Sequence, residues 1–227
     1  NGIPVMLCDK AAPTPVISFN LVRKDAGAGC IITASHNSSI WNGFKFKPDY
    51  GGSASPEIVE RLEERIAAVE LAPDIKRMDL AEAERQGLLE HFDPEPEYLA
   101  HVASIVDVQS IRNAGLNIVF DPMHGSGAGY FSKLLEGGNT RLIEIRGERN
   151  PLFPGMAQPE PIEQNLAPLI DAVADYSADI GLATDGDADR VGVVDEDGRF
   201  LTTLQTFAIL CMHLLENLGQ DGPLVRS

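Results

Sequence analysis

Cysteine is scarce in this 227-residue chain: Cys8, Cys30 and Cys211 stand far apart, odd in number and in no metal-ligand spacing. A disulfide framework or a zinc site therefore has no support, and a reducing, cytoplasmic compartment fits. Long apolar runs are lacking, and the N-terminus carries no basic-then-apolar leader pattern, so neither a membrane span nor a signal peptide is expected. Positive charge is also short. Lys and Arg number 18 against 34 Asp and Glu, a net charge of -16, and such a surface repels nucleic-acid backbones and anionic lipid. Neither nucleic acid nor membrane is expected as a partner. The same field repels an anionic small substrate on average, so a phosphate site must be built from a few local cations and oriented backbone N–H groups. No feature of the sequence points to an oligomeric state.

What is present is globular: 44% hydrophobic and 23% charged residues, enough to bury one large core or two ordinary ones. The first hundred residues read as a βαβ opening. A strand is expected over Ile3 to Cys8, a helix within Pro15 to Lys24, and a buried strand over Gly29 to Thr33. A helix over Ser55 to Val69 follows, with Ser55 as N-cap, Pro56 at its first position and an apolar face of Val59, Leu62, Ile66 and Val69. The pattern loosens from Asp74 to Glu97, where the run Asp93-Pro94-Glu95-Pro96 suggests a domain boundary.

A second alternating unit begins there. Helices are expected over Tyr98 to Ile111, Tyr130 to Leu135 and Leu166 to Val173, interleaved with strands over Leu116 to Asp121, Leu142 to Ile145 and Asp179 to Ala183. The strand Val191 to Val194, a turn at Glu196-Asp197-Gly198 and an amphipathic helix over Leu201 to Leu218 complete the reading. Leu204, Phe207, Leu210, Cys211, Leu214 and Leu218 are its expected inward face. Alternation of this kind favours a parallel sheet. The chain begins at Asn1 without Met, as a fragment or processed form would, and Pro223-Leu224-Val225 reads as a strand cut short before a further domain.

Three stretches carry chemistry. In Thr184-Asp185-Gly186-Asp187-Ala188-Asp189-Arg190, carboxylates at every second position of a tight loop can converge on one hard cation such as Mg²⁺, Mn²⁺ or Ca²⁺; an acidic solvated turn is the plain alternative. An EF-hand matches Asp185, Asp187, Asp189 and Glu196 but fails at its sixth position, which needs Gly and here holds Arg190. Thr33-Ala34-Ser35-His36-Asn37, followed by Asn42-Gly43-Phe44-Lys45, sits where a parallel strand would present a ligand site; a hydrogen-bonded turn or helix cap accounts equally well for it. Asp121-Pro122-Met123-His124-Gly125-Ser126-Gly127-Ala128-Gly129 looks like a dinucleotide loop, but the place that needs the last glycine holds Tyr130, so it reads as a βα turn with a packed or turn histidine.

Taken together, the Ser35 and Lys45 stretches, the aspartate loop, and Phe153-Pro154-Gly155 with Pro159-Glu160-Pro161 resemble, in order, the α-D-phosphohexomutase family of phosphoglucomutases and phosphomannomutases. The resemblance implies an α/β fold of consecutive three-layer α/β/α domains with mixed, mostly parallel sheets. It divides the chain into 1–95 (part of a first domain), 96–199 (a second) and 200–227 (the start of a third). It implies that Ser35 is the phosphorylated serine, that Asp185, Asp187 and Asp189 bind one Mg²⁺ together with a Ser35 phosphoryl oxygen, and that Arg190 flanks the phosphoserine. Lys45 would assist proton transfer, and His36 adjoins the phosphoserine. Two departures stand out: Ser38-Ser39 replaces a usual Pro-Pro, and Trp41 stands where Tyr or Asp is common.

The implied activity is interconversion of hexose 1-phosphate and hexose 6-phosphate through a hexose 1,6-bisphosphate, with small hexose phosphates as partners. Phosphoglucosamine mutase is the alternative within the family. The chain taken alone is expected not to turn over as a mutase, because the resemblance places sugar-holding residues in further domains. Two outside readings compete: a metal-dependent phosphatase with an aspartate nucleophile, and a non-catalytic sugar-phosphate or metal-binding module.

Overall fold

The computed structural model describes residues 2–71 and 75–224. They form two compact units, one from 1–33 with 42–105 and the other from 34–41 with 106–227. These units are drawn differently from the domains 1–95, 96–199 and 200–227 expected above.

In the first unit the order is β1 (Val5–Cys8), α1 (Thr14–Arg23), β2 (Ala28–Ile32), β3 (Phe44–Pro48), α2 (Pro56–Leu71), α3 (Leu80–Arg85), β4 (Leu89–Phe92) and α4 (Glu95–Ile105). β1 pairs in parallel with β4, and β2 pairs antiparallel with β3. Pro15 opens α1, where a missing N–H costs nothing, and Val16 and Leu21 are its buried apolar residues. The buried Asn20 amide donates to the carbonyls of Val16 (2.9 Å) and Pro94 (2.7 Å), tying α1 to the start of α4. Phe19 stacks on His101 at 4.8 Å between centroids and meets Tyr98 edge-on at 5.7 Å. These contacts keep α4 with α1, so the unit extends past the Asp93 to Pro96 breaker.

Three expectations need correcting here. The stretch read as loosened holds α3, capped by the Asp79 carboxylate accepting from Ala81 and Glu82 N–H, and β4, whose polar Glu90 and His91 hide its period. Asp74, where that stretch was taken to start, lies outside the described residues. The strand before Ser35 belongs to an antiparallel pair, not a parallel one, and only Ile31 in it is buried. Among the described residues most of the apolar stripe of α2 is uncovered, since Val59, Ile66 and Val69 are exposed and only Leu62 is half-buried. Periodicity identifies an apolar face but not what packs on it.

The second unit runs α5 (Val108–Asn113), β5 (Asn117–Asp121), α6 (Tyr130–Leu135), β6 (Arg141–Glu144), α7 (Ala167–Tyr176), β7 (Ile180–Thr184), β8 (Val191–Asp195), β9 (Phe200–Leu201) and α8 (Thr203–Met212). Its five-stranded sheet has the order β6-β5-β7-β8-β9. β6 and β7 flank β5 in parallel, while β8 and β9 are added antiparallel. Over the described residues the pairings divide evenly between the two senses, so the sheets are mixed without the expected parallel majority.

Alternation along the strands makes the three layers. Val119, Ala183 and Val194 face Leu169 and Val173 of α7, whereas Ile118, Ile180 and Leu182 face Val108, Leu135 and Phe131 on α5 and α6. Gly181 lets α7 approach: a Cβ there would stand 2.7 Å from Val173 Cγ2 and 3.0 Å from Leu169 Cδ1. The single helix expected over Tyr98 to Ile111 is two, because the Asp107 carboxylate caps a new start by accepting from Ser110 N–H. The helix expected over Leu201 to Leu218 starts later, at Thr203 behind a Thr202–Gln205 capping box, and ends at Met212 before a π turn over His213–Asn217. Its expected inward residues Leu204, Leu210, Leu214 and Leu218 are exposed. Pro223 and Leu224 lie in no strand, and Val225 is outside the described residues.

Candidate active site

The register that pairs Thr184 with Val191 makes residues 185–190 the connection of an antiparallel hairpin between β7 and β8. This six-residue loop is longer than a tight two-residue turn, and it stays ordered because Asp185 organises it. The Asp185 Oδ1 accepts the backbone N–H groups of Asp189 (2.9 Å) and Arg190 (3.1 Å), and Ala188 N–H bonds back to the Asp185 carbonyl (3.0 Å). Ala188 takes a left-handed conformation at φ 53° to close the curve.

With one oxygen so engaged, Asp185 turns Oδ2 toward Ser35, whose hydroxyl donates to it at 3.4 Å. Arg190 Nε is 4.0 Å from the same oxygen. Ser35 itself sits at φ 53°, and its hydroxyl is 3.3 Å from His36 Nδ1. A non-glycine residue in this region carries a local strain, here shared by the two hydroxyl- and carboxylate-bearing loops that meet.

Ligand oxygens of Asp185, Asp187 and Asp189 lie within 4.8 Å of one another, with the first two side chains buried and the third exposed. Burial pushes the Asp185 carboxyl up to about 7, and the carboxylates of Asp187 and Asp189 push it the same way, against the pull of the two backbone N–H groups. Three crowded carboxylates, each offering a ligand oxygen within this small span, suit a hard divalent cation, because the cation removes the repulsion that raises Asp185. The residues present therefore fit a metal.

Arg190 extends from this loop to Glu160, donating from Nη1 to Oε1 at 3.0 Å. Glu160 is held in turn: Gln158 Nε2 donates to its carboxylate at 2.6 Å, and Asn165 Nδ2 donates to its backbone carbonyl at 2.9 Å. The stretch from Asn150 to Pro161 is thus a shaped support for the arginine. Beside Arg190, a cavity of about 230 Å³ is lined by Phe120, Phe131, Thr184 and Asp189 among others.

The family model for the phosphoglucomutase/phosphomannomutase α/β/α domain I matches residues 1–72, and that for α/β/α domain II matches residues 96–198. The chain belongs to the phosphoglucomutase/phosphomannomutase family. A "probable phosphoglucosamine mutase" of Methanopyrus kandleri is 34% identical over 206 residues, which is 91% of this chain and 43% of that one. The phosphoglucomutase of Neisseria meningitidis is 33% identical, over 88% of this chain and 40% of its own length. A crystal structure from Thermus thermophilus, described as that of a putative phosphomannomutase, matches at TM-score 0.82 and 31% identity, covering 95% of this chain and 47% of that one. The chain spans less than half the length of these relatives.

Of the site residues expected from this phosphohexomutase resemblance, Ser35, His36, Asp185, Asp187, Asp189 and Arg190 share the second unit. Lys45 belongs to the first, on β3 opposite Ile31. His124 is the turn histidine expected from sequence, its Nδ1 2.8 Å from the Glu148 carbonyl. Sequence reasoning missed Glu160 as the partner of Arg190 and Ser126 as a donor to Gly186. The Glu160 signal lay in Pro159-Glu160-Pro161, a carboxylate in a rigid segment with no neighbouring cation in sequence to satisfy it.

Proposed function

We propose that the chain carries the phosphoryl-transfer centre of a phosphohexomutase, which interconverts hexose 1-phosphate and hexose 6-phosphate through Ser35 and a hexose 1,6-bisphosphate. The observation that carries the reading is the approach of Ser35 Oγ to 3.4 Å from Asp185 Oδ2, at the head of a three-aspartate cluster. A serine aimed at a cation site is what phosphoryl transfer asks for, since the protein's contribution is position and electrostatics.

Asp185, Asp187 and Asp189 are the residues that would hold one Mg²⁺. When bound, that ion supplies positive charge against the phosphoryl oxygens during transfer. Asp185 holds the loop with one oxygen and faces Ser35 with the other. Arg190, tethered by Glu160, adds fixed positive charge beside the serine. As the sugar hydroxyl oxygen bonds to phosphorus, the bond from phosphorus to Ser35 Oγ breaks. The hydroxyl proton passes to a base, for which Lys45 is the candidate, and the same proton, given back by that base, ends on Ser35 Oγ. After the bisphosphate turns over, its other phosphoryl returns to Ser35.

The names of the relatives divide among glucosamine, glucose and mannose phosphates at comparable identity, which supports hexose phosphate as the substrate class rather than one sugar. A pulse–chase separates this reading from a phosphatase. Label introduced on the chain from hexose 1,6-bisphosphate should leave as bisphosphate when unlabelled hexose monophosphate is added. Release as inorganic phosphate, at the same rate with and without the sugar, would overturn it.

A further inference from the structure

The glycine-rich turn between β5 and α6 takes no part in the chemistry above, yet it lies directly against the aspartate loop. Ser126 N–H donates to the Gly186 carbonyl at 3.0 Å, and the Ser126 hydroxyl donates to the same oxygen at 3.3 Å. A Cβ on Gly125 would stand 2.7 Å from Gly186 O and 2.9 Å from Gly186 Cα. Real Cβ atoms do not sit so close to backbone, so a side chain at 125 must force this turn and the aspartate loop apart; it would also meet the Pro122 carbonyl oxygen of its own turn at 2.9 Å. Gly127 makes a second such approach, where a Cβ would meet Thr184 Oγ1 at 2.9 Å and Ala188 Cβ at 3.1 Å.

Gly186 is enclosed from a further direction, for a Cβ on it would stand 2.6 Å from the Ser35 carbonyl oxygen. Three backbones therefore meet without an intervening side chain, Gly125 and Ser35 each packed against Gly186. The turn is fixed from below as well. Asp121 is fully buried and accepts from Met123 N–H at 2.9 Å and from the Arg146 guanidinium; His124 N–H donates to the Arg146 carbonyl at 3.0 Å. Gly129 N–H donates to the Glu144 carboxylate at 3.1 Å.

We propose that Gly125, Ser126 and Gly127 form a positioning platform that sets the height of the aspartate loop, and so the spacing of Asp185 from Ser35 and the preorganisation of the metal ligands. These are positioning residues, acting through Gly186. The inference rests on the metal-site reading of the aspartate loop given above. Gly125 has no positive φ, so Gly125→Ala perturbs the site by contact with Gly186 rather than by backbone strain at 125 itself.

The test is a calorimetric Mg²⁺ titration of the purified chain and its variants, with thermal unfolding of the metal-free proteins alongside. Support around metal ligands is commonly worth 10- to 100-fold in affinity, and Gly125→Ala is expected to weaken Mg²⁺ binding by about 10-fold or more. Ser126→Ala removes one of two donors to Gly186 and is expected to weaken it by about threefold. Gly137→Ala is the control: φ there is 87° and nothing lies near its Cβ, so it should lower the melting temperature and leave Mg²⁺ affinity unchanged. Wild-type affinity in folded Gly125→Ala overturns the platform alone. Should that variant not fold, wild-type affinity in Ser126→Ala does so. Equal weakening in Gly137→Ala would reduce the effect to general destabilisation and also overturns it. Absence of Mg²⁺ binding by the unmutated chain overturns the metal-site reading and the platform with it.

Discussion

Acidification should weaken metal binding around neutrality, far above the range where ordinary carboxylates titrate. Asp185 is buried and faces two further carboxylates, which together push its carboxyl up to about 7. A hard cation needs the ionised ligand. With a value of about 7, roughly nine-tenths of Asp185 is ionised at pH 8 and one-tenth at pH 6, so apparent Mg²⁺ affinity should fall about 10-fold across that interval. Binding at pH 6.5 should release a proton, seen calorimetrically as a heat that changes with the ionisation enthalpy of the buffer. The metal-free fold should show the opposite dependence. Because the folded-state value lies above the unfolded one, the protonated carboxyl stabilises the fold below about pH 4, and that contribution is lost as pH rises through about 7. Mg²⁺ should therefore raise the melting temperature more at pH 8 than at pH 6. An affinity that stays flat from pH 8 to pH 6 and falls only below about pH 5 would refute this account of the cluster's electrostatics.

Asp187→Asn should weaken Mg²⁺ binding by at least about 10-fold, and it should move the pH inflection of what binding remains downward, since the Asp187 charge is one of the causes raising Asp185; unchanged affinity in the titration would remove the loop as the metal site. Arg146→Met leaves the fully buried Asp121 without its guanidinium partner, and urea denaturation should show a loss of about 3 to 5 kcal/mol. Gly181→Val places side-chain atoms where α7 already lies against the sheet, and the same denaturation should show a loss of at least about 1 to 3 kcal/mol from overpacking.

The second unit was largely legible in the sequence because its central strands are apolar runs and α5, α6 and α7 each bury one face. Val119 and Ile118 alternate across β5 into separate cores, so the strand reads as a short continuous apolar run between turn signals. The hairpin loop was legible for another reason: alternating aspartates in a chain of strands have few uses. The first unit was harder. Leu89-Glu90-His91-Phe92 becomes a strand because β1 pairs with it, a long-range fact with no local trace. The exposed stripe of α2 shows the same limit, since Val59, Ile66 and Val69 have the spacing of a core face whether or not anything covers them. Within the site, the pairing of Arg190 with Glu160 and the approach of Gly125 to Gly186 depend on chain segments 30 and about 60 residues apart. Such contacts are properties of the folded loops rather than of either motif.

The central claim is that Ser35 accepts the phosphoryl group. The most direct measurement is tandem mass spectrometry of the chain after incubation with hexose 1,6-bisphosphate and Mg²⁺, beside the Ser35→Ala variant. One phosphate on Ser35, dependent on Mg²⁺ and absent from the variant, is the predicted result. A phosphate found on another residue, and still present in Ser35→Ala, would contradict it.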